Sequence, residues 1–376
     1  MKSESFAELA KKLESRIDRI EHDLKDSVKL LKKDASHLLA RQHDGLSPSD
    51  VKKDLEELGT QLEKRIRGAV DNILKTTHAK QQSDELKFVR GLATELSHVL
   101  SFDFFKGIFT QLSHHAEDVE VDEFGMDPAM VARFKSFFDF LYFKYWRVKT
   151  TGINNIPNDG RALIVGNHSG TVPYDGAMLA MSILNEHPVR KDTRFLVEDF
   201  VYHMPVVGSL MYRIGGVRAC PENAERLLST GHLVIVFPEG VKGIGKYFKD
   251  RYKLQRFGRG GFVKLCITTK SPIIPVGIVG AEEIHPIIFK SNTLSKIIGV
   301  PYIPVTPSFP HLGLLGCIPF PSKWSIHFGK PIDLLEYNDN TLDDEITIHK
   351  LSENVRTEIQ EIIYDLLRKR RSVLWG

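Results

Sequence analysis

A histidine followed seven residues later by an aspartate, at the end of an apolar run, is the pair in this chain best suited to moving a proton. The run Ala162-Leu-Ile-Val165 leads through Gly166 and Asn167 to His168, and the stretch NHSGTVPYD closes on Asp175. An imidazole ordinarily titrates near pH ~6.5, so His168 is a candidate to take a hydroxyl proton at neutral pH. A carboxylate behind the ring fixes its tautomer and steadies the imidazolium that forms. Asp175 is the natural partner, if the loop containing Gly170 and Pro173 folds back on the ring. Asp199, closing Phe195-Leu-Val-Glu-Asp199, is the alternative.

A second apolar run, Leu233-Val-Ile-Val-Phe237, ends in Pro238-Glu239-Gly240 and continues Val241-Lys242-Gly243. Gly215-Gly216-Val217-Arg218 lies between the two runs, and Ile273-Ile-Pro-Val-Gly277 follows them. Taken singly, Asn-His-Ser-Gly and Pro-Glu-Gly are ordinary turns. In this order, each after a β-type run, they describe an α/β site built where strands end.

These motifs resemble the glycerolipid acyltransferase superfamily, whose members carry His…Asp after one strand and F-P-E-G after another. The variants NHSG-x-x-P-x-D and F-P-E-G-x-K-G resemble a bacterial-type branch, and the match runs from about residue 146 to 329. The resemblance implies transfer of a fatty acyl group from acyl-CoA or acyl-carrier protein to a glycerolipid hydroxyl. His168 would be the base and Asp175 its partner. Arg218, Glu239, Gly240 and Lys242 would form the substrate and anion site, with Arg218 the first choice for the anion and Glu239 fixing the loop. Pro275 and Val276 would line the acyl channel, Pro275 in a structural role. The implied acyl thioester is a co-substrate, and no cofactor or metal is expected. Lysophosphatidic acid is the default acceptor.

Two departures from the family pattern stand out. Its usual spacing is His-x4-Asp, whereas six residues separate His168 from Asp175. Where members acting on glycerol phosphates continue F-P-E-G with Thr-Arg, this chain has Val241-Lys242, which keeps a charge and loses the bidentate fork. A neutral acceptor such as diacylglycerol, or another lysophospholipid, therefore stays open. Lys246, Lys249, Arg251, Lys253, Arg256 and Arg259 follow, either as a solvated loop or as a cradle for phosphate or an anionic bilayer. A catalytically retired lipid-binding scaffold is a second class of reading. Hydrolysis through Ser169 ranks last, because the Gly-x-Ser-x-Gly elbow is absent.

The elements around these motifs read as α/β, with a central, mostly parallel sheet flanked by helices. Strands are expected at Ala162–Val165, Arg194–Val197, Leu233–Phe237, Ile273–Val279 and Trp324–Phe328. Helices are expected at Tyr174–Leu184, Asn223–Thr230 and Leu351 to about Arg368. Asp127-Pro128 marks a helix start leading into an aromatic segment that turns to strand near Trp146–Lys149. The basic end Arg368-Lys369-Arg370-Arg371 reads as a solvated tail or an anionic-lipid contact.

Residues 1–130 form a separate helical, coiled-coil-like region, with 131–376 as the acyltransferase domain. Leu13, Ile17, Ile20, Leu24, Val28 and Leu31 recur at helical spacing among charges of both signs, as do Val51 to Ile73. Such helices pack together, self-associate or meet a membrane or partner. The aromatic segment Ser101–Leu112 is core or an interfacial foot.

The chain has 376 residues, 42% hydrophobic and 26% charged, enough for a sizeable core. A net charge of only +3 does not point to nucleic acid. Cys220, Cys266 and Cys317 lack metal or redox spacing, Cys266 and Cys317 read as core thiols, and the trio fits a reducing compartment. The opening MKSESFAELAKK is unlike a signal peptide, and no run reaches the ~18 apolar residues of a spanning helix. The expected location is the cytoplasmic face of a membrane, peripherally bound.

Overall fold

The apolar runs pair into one seven-stranded sheet in the computed structural model. Described are residues 121–376 except 170, 171, 173, 191, 203–206, 292–294, 296–300, 308 and 310–318, together with Gly91. The expected N-terminal helices, the segment Ser101–Leu112 and Cys317 lie outside them. The chain divides into two compact units, Met1–Asp84 with Thr306–Ile318 and Glu85–Val305 with Pro319–Gly376. All that follows concerns the second. Residue 130, the expected domain boundary, falls inside the first described helix.

That helix, α1 (Pro128–Asp139), starts as its sequence dictates. The Asp127 carboxylate caps the amides of Ala129 and Met130, and Pro128 occupies the first turn, where an N–H is not needed. A π-helical turn, Phe140–Tyr145, follows. Strand β1 then starts at Lys149 and runs to Thr151, later than expected. Trp146 does not enter the strand, because its buried ring stacks on Trp324 at 4.6 Å.

The remaining strands are β2 (Ala162–Gly166), β3 (Arg194–Val197), β4 (Gly216–Arg218), β5 (Leu233–Val236) and β6 (Ile273–Val279). A separate hairpin joins β7 (Phe289–Ser291) to β8 (Ile303–Val305), and β9 (Ser325–Phe328) returns to the main sheet. The order is β1-β9-β6-β2-β5-β3-β4, parallel throughout except between β6 and β9. Strands β2 and β6 are buried at every residue. Uninterrupted Val/Ile/Leu runs are what a parallel strand covered on both faces requires.

Among the helices, α2 (Tyr174–Glu186) follows β2, and α3 (Asp199–Tyr202) and α4 (Val207–Arg213) follow β3. Next come α5 (Pro221–Ser229), α6 (Val241–Ile244), α7 (Gly261–Thr269) and α8 (Glu345–Lys369). Helix α8 places Ile348, Val355, Ile359 and Ile363 in the core with Phe257, Val263 and Cys266. Burying each such aliphatic side chain contributes roughly 1.5–3 kcal/mol. No described helix is long and apolar enough to cross a membrane.

The topology has one consequence for chemistry. Strands β2, β3, β4, β5 and β6 run the same way, so their C-terminal ends share one edge of the sheet. Along that edge the chain delivers Asn167 and His168, Glu198 and Asp199, Arg218, Glu239, and Glu282.

Candidate active site

His168 stands two residues beyond β2, with its backbone held before its ring is used. Its N–H donates to Glu239 Oε1 at 2.9 Å, which ties the end of β2 to the Pro-Glu-Gly turn after β5. One position earlier, the Asn167 side chain accepts from Ile278 N–H at 2.7 Å and donates to Ile278 C=O at 3.0 Å. This buried amide adds one more step to the β2–β6 ladder and stops the strand end from fraying.

The imidazole is clamped on two sides. Nδ1 lies 2.7 Å from Asp175 Oδ2. The ring stacks on Phe237 with centroids 4.4 Å apart and planes within 9°. Asp175 sits in the first turn of α2 and is fully buried. Its Oδ2 also accepts the Ser169 N–H at 2.8 Å, and its Oδ1 accepts the Gly176 N–H at 2.8 Å. The carboxylate reaches the ring from a helix start. With Nδ1–H directed at Asp175, Nε2 is left as the acceptor, the arrangement a general base needs. His168 is 14% exposed, enough to meet a substrate and otherwise screened from water.

Asp199 belongs elsewhere. Its carboxylate takes Nε of Arg218 at 2.6 Å and Nη2 at 2.8 Å, a forked pair at the surface. Arg218 is held above its ordinary range by the hydrogen bonds and charge of Asp199. The expected anion contact is therefore engaged within the chain.

Glu239 makes no surface contact. It is buried, and besides His168 it accepts the Gln255 N–H at 2.6 Å and stands 3.2 Å from Lys246 Nζ. It is thus held by a lysine and two backbone amides. Gly240 takes φ +54°, a left-handed value that favours glycine. Lys242 is exposed on α6. Pro275 and Val276 lie in the buried strand β6, opposite Val165 and Gly166.

A family model described as Acyltransferase matches residues 147–279. An uncharacterized protein of Mycobacterium leprae is 48% identical over 264 residues, covering 69% of this chain and 71% of that protein. The human DGAT1/2-independent enzyme synthesizing storage lipids is 26% identical over 212 residues, 56% of this chain and 59% of that one. The solved 1-acyl-sn-glycerophosphate (LPA) acyltransferase PlsC of Thermotoga maritima covers 76% of this chain and 95% of its own, at 18% identity and a TM-score of 0.45. The chain belongs to the acyltransferase family.

In this acyltransferase the basic run is not uniformly a solvated loop or an open cradle. Lys246 is buried between Glu239 and Glu282, 2.9 Å from Glu282 Oε1. Burial pulls its pKa down, but the two carboxylates outweigh burial and raise it. Burial raises that of Glu282 against the opposing pull of Lys246. Glu282 Oε2 also accepts the Tyr252 N–H at 2.9 Å, so the run is pinned to the sheet edge at Lys246, Tyr252 and Gln255. Lys249, Arg251, Lys253, Arg256 and Arg259 remain exposed.

Reading the sequence missed Phe237, assigned there to a strand, and Gly243. A Cβ on Gly243 would lie 2.7 Å from both the His168 and the Glu239 Cβ atoms, so only glycine lets α6 pass beneath the histidine. The second glycine of FPEGVKG was the available signal. It also missed Glu282, which stands 36 residues from Lys246. The basic tail is likewise not wholly solvated: Arg370 is buried and spans both oxygens of Glu283 at 2.6 and 2.7 Å. Among the described residues, no group of three or more His, Cys, Asp or Glu side chains is placed to hold a metal ion.

Proposed function

We propose that this chain transfers a fatty acyl group from a thioester, acyl-CoA or acyl-carrier protein, to a glycerolipid hydroxyl at a membrane surface. The observation that carries the reading is the His168 Nδ1 to Asp175 Oδ2 contact of 2.7 Å at the sheet edge. In the proposed reaction the lipid hydroxyl gives its proton to His168 Nε2 as its oxygen attacks the thioester carbonyl. Asp175 steadies the resulting imidazolium, and the carbonyl re-forms as the thiolate leaves. That thiolate takes the proton back from His168. Atoms and charge balance with no acyl-enzyme.

Hydrolysis through Ser169 is disfavoured, since that residue is buried and its hydroxyl is 3.4 Å from Asp175 Oδ2, behind the base. A retired scaffold has no physical need for a fastened histidine, a buried carboxylate and an opening to solvent at one point.

For the acceptor we favour a neutral glycerolipid such as diacylglycerol over lysophosphatidic acid. Arg218 is neutralised by Asp199 and Lys246 by two glutamates, which leaves Lys242 as the cation of the F-P-E-G motif facing solvent. The human relative, named for synthesizing storage lipids, points the same way. Lysophosphatidic acid remains the second reading on one observation: the Arg218–Asp199 pair is exposed and screened by solvent, so an incoming phosphate could displace the carboxylate.

Thiol release from palmitoyl-CoA, measured with diacylglycerol, lysophosphatidic acid or no acceptor, decides between them. Diacylglycerol-dependent release is the expected result. Release only with lysophosphatidic acid overturns the acceptor assignment. Silence with every acceptor, from acyl-CoA and from acyl-carrier protein alike, overturns the reaction.

A further inference from the structure

The 247–251 segment and the strand opening at 287–290 lie side by side, joined by the Phe248 N–H to Ile287 C=O bond of 2.9 Å. Their outward side chains do not match a solvated loop. Ile288 is 64% exposed, Phe289 61%, and Phe248 also faces solvent. Positive charges are laid over the neighbouring rings. Arg251 lies 4.3 Å from the Phe248 centroid, and Lys290 sits between Tyr247 and Tyr302 at 4.8 and 4.9 Å. Lys249 approaches Tyr247 at 5.8 Å. Asp250 is the acidic residue of the segment and is half-buried.

Adjacent exposed apolar side chains are a cost in water, and having exposed cations on the neighbouring segment suits an environment that is apolar below and anionic above. Lys and Arg with aromatic neighbours are the side chains that settle at that boundary. The patch also adjoins the chemistry. Phe248, Arg251 and Ile287 line a small open pocket together with Gly243, the glycine packed against His168.

We propose that this face docks on an anionic phospholipid bilayer, with Ile288 and Phe289 entering the acyl boundary and Lys249 and Arg251 meeting headgroup phosphates. Docked this way, the chain would hold the Gly243 side of the site close to the bilayer. This rests on the lipid-hydroxyl reading above. An acidic carrier protein would answer the cations, but it gives no reason for two bare apolar side chains on the adjoining stretch.

The test is co-sedimentation of the full chain with vesicles of phosphatidylcholine alone and of phosphatidylcholine mixed with phosphatidylglycerol. Wild type is expected to partition onto the anionic vesicles. Ile288→Ser with Phe289→Ser should weaken partitioning by at least about tenfold on either composition. Lys249→Glu with Arg251→Glu should weaken it by about fivefold or more per residue on the anionic vesicles only. All four side chains are exposed, and unchanged melting curves would show that the fold is retained. His168→Ala should partition like wild type while losing acyl transfer, which separates the two ideas. Transfer that survives His168→Ala overturns the base assignment and leaves the docking face standing. Wild-type partitioning by both double variants overturns the docking face. So does loss of acyl-carrier-protein capture with vesicle binding intact, which would make the face a protein dock.

Discussion

At the scale of residues, the site is a histidine made rigid on every side but one. Glu239 holds its amide, Phe237 supports its ring, Asp175 fixes Nδ1, and Gly243 allows α6 to pass beneath it. Preorganisation of this kind is what converts a weak base into an effective one, because misplacement by ~1 Å costs about a hundredfold in rate. Gly243→Ala tests it. The added methyl must move His168 or Glu239, so we expect kcat to fall about a hundredfold, with a melting temperature lowered by a few degrees from overpacking. A kcat near wild type would show that the ring is not so tightly placed. The pair His168 and Asp175 was legible in the sequence because both chemistries are written in one stretch. The choice between Asp175 and Asp199 was not, since it depends on a helix start folding the carboxylate back and on Arg218 occupying the rival.

At the scale of elements, the strands were the most legible part. Apolar runs such as Ile273–Val279 are buried along their whole length within a mostly parallel sheet. Strand β4, only three residues long, gave no such run, and Trp146 was drawn out of its expected strand by stacking on Trp324. Least legible was the fastening between elements. The basic run suggested one exposed patch, but Lys246 is taken inside by carboxylates from two different strand ends. Lys246→Met would leave Glu239 and Glu282 buried without their cation, and removing one partner of a buried pair costs about 3–5 kcal/mol. Urea or thermal unfolding would measure it. Glu282→Gln should cost less, because Lys246 keeps Glu239. The Lys246 pKa is raised on folding, so its contribution is fully present below the unfolded value of about 10.4 and is lost as pH rises through the higher folded value. The stability gap between wild type and Lys246→Met should hold from neutral pH to about 10 and narrow above it. A gap that stays unchanged at more alkaline pH would contradict the assignment.

At the scale of the whole molecule, the C-terminal segment closes the fold over the sheet. Helix α8 packs on β6 with Ile362 against Gly277, and just beyond it Arg370 reaches Glu283, Ser322 Oγ at 3.0 Å and the carbonyls of Lys323 and Val373. Composition suggested a solvated tail; a buried glutamate far away in sequence makes this arginine a clamp. Arg370→Ala should destabilise by about 3–5 kcal/mol and lower Tm by on the order of 10 °C. An unchanged Tm would mean that the tail is dispensable. The same closure leaves one edge of the sheet as the place where base, turn and pocket meet, and the account stands or falls on chemistry there. Its most direct test is thiol release from palmitoyl-CoA by purified wild type and by His168→Ala, each in the presence of a glycerolipid acceptor. The account predicts a fall of roughly 10²–10⁴-fold in His168→Ala with an unchanged melting curve. Release at the wild-type rate from a folded His168→Ala protein would contradict it.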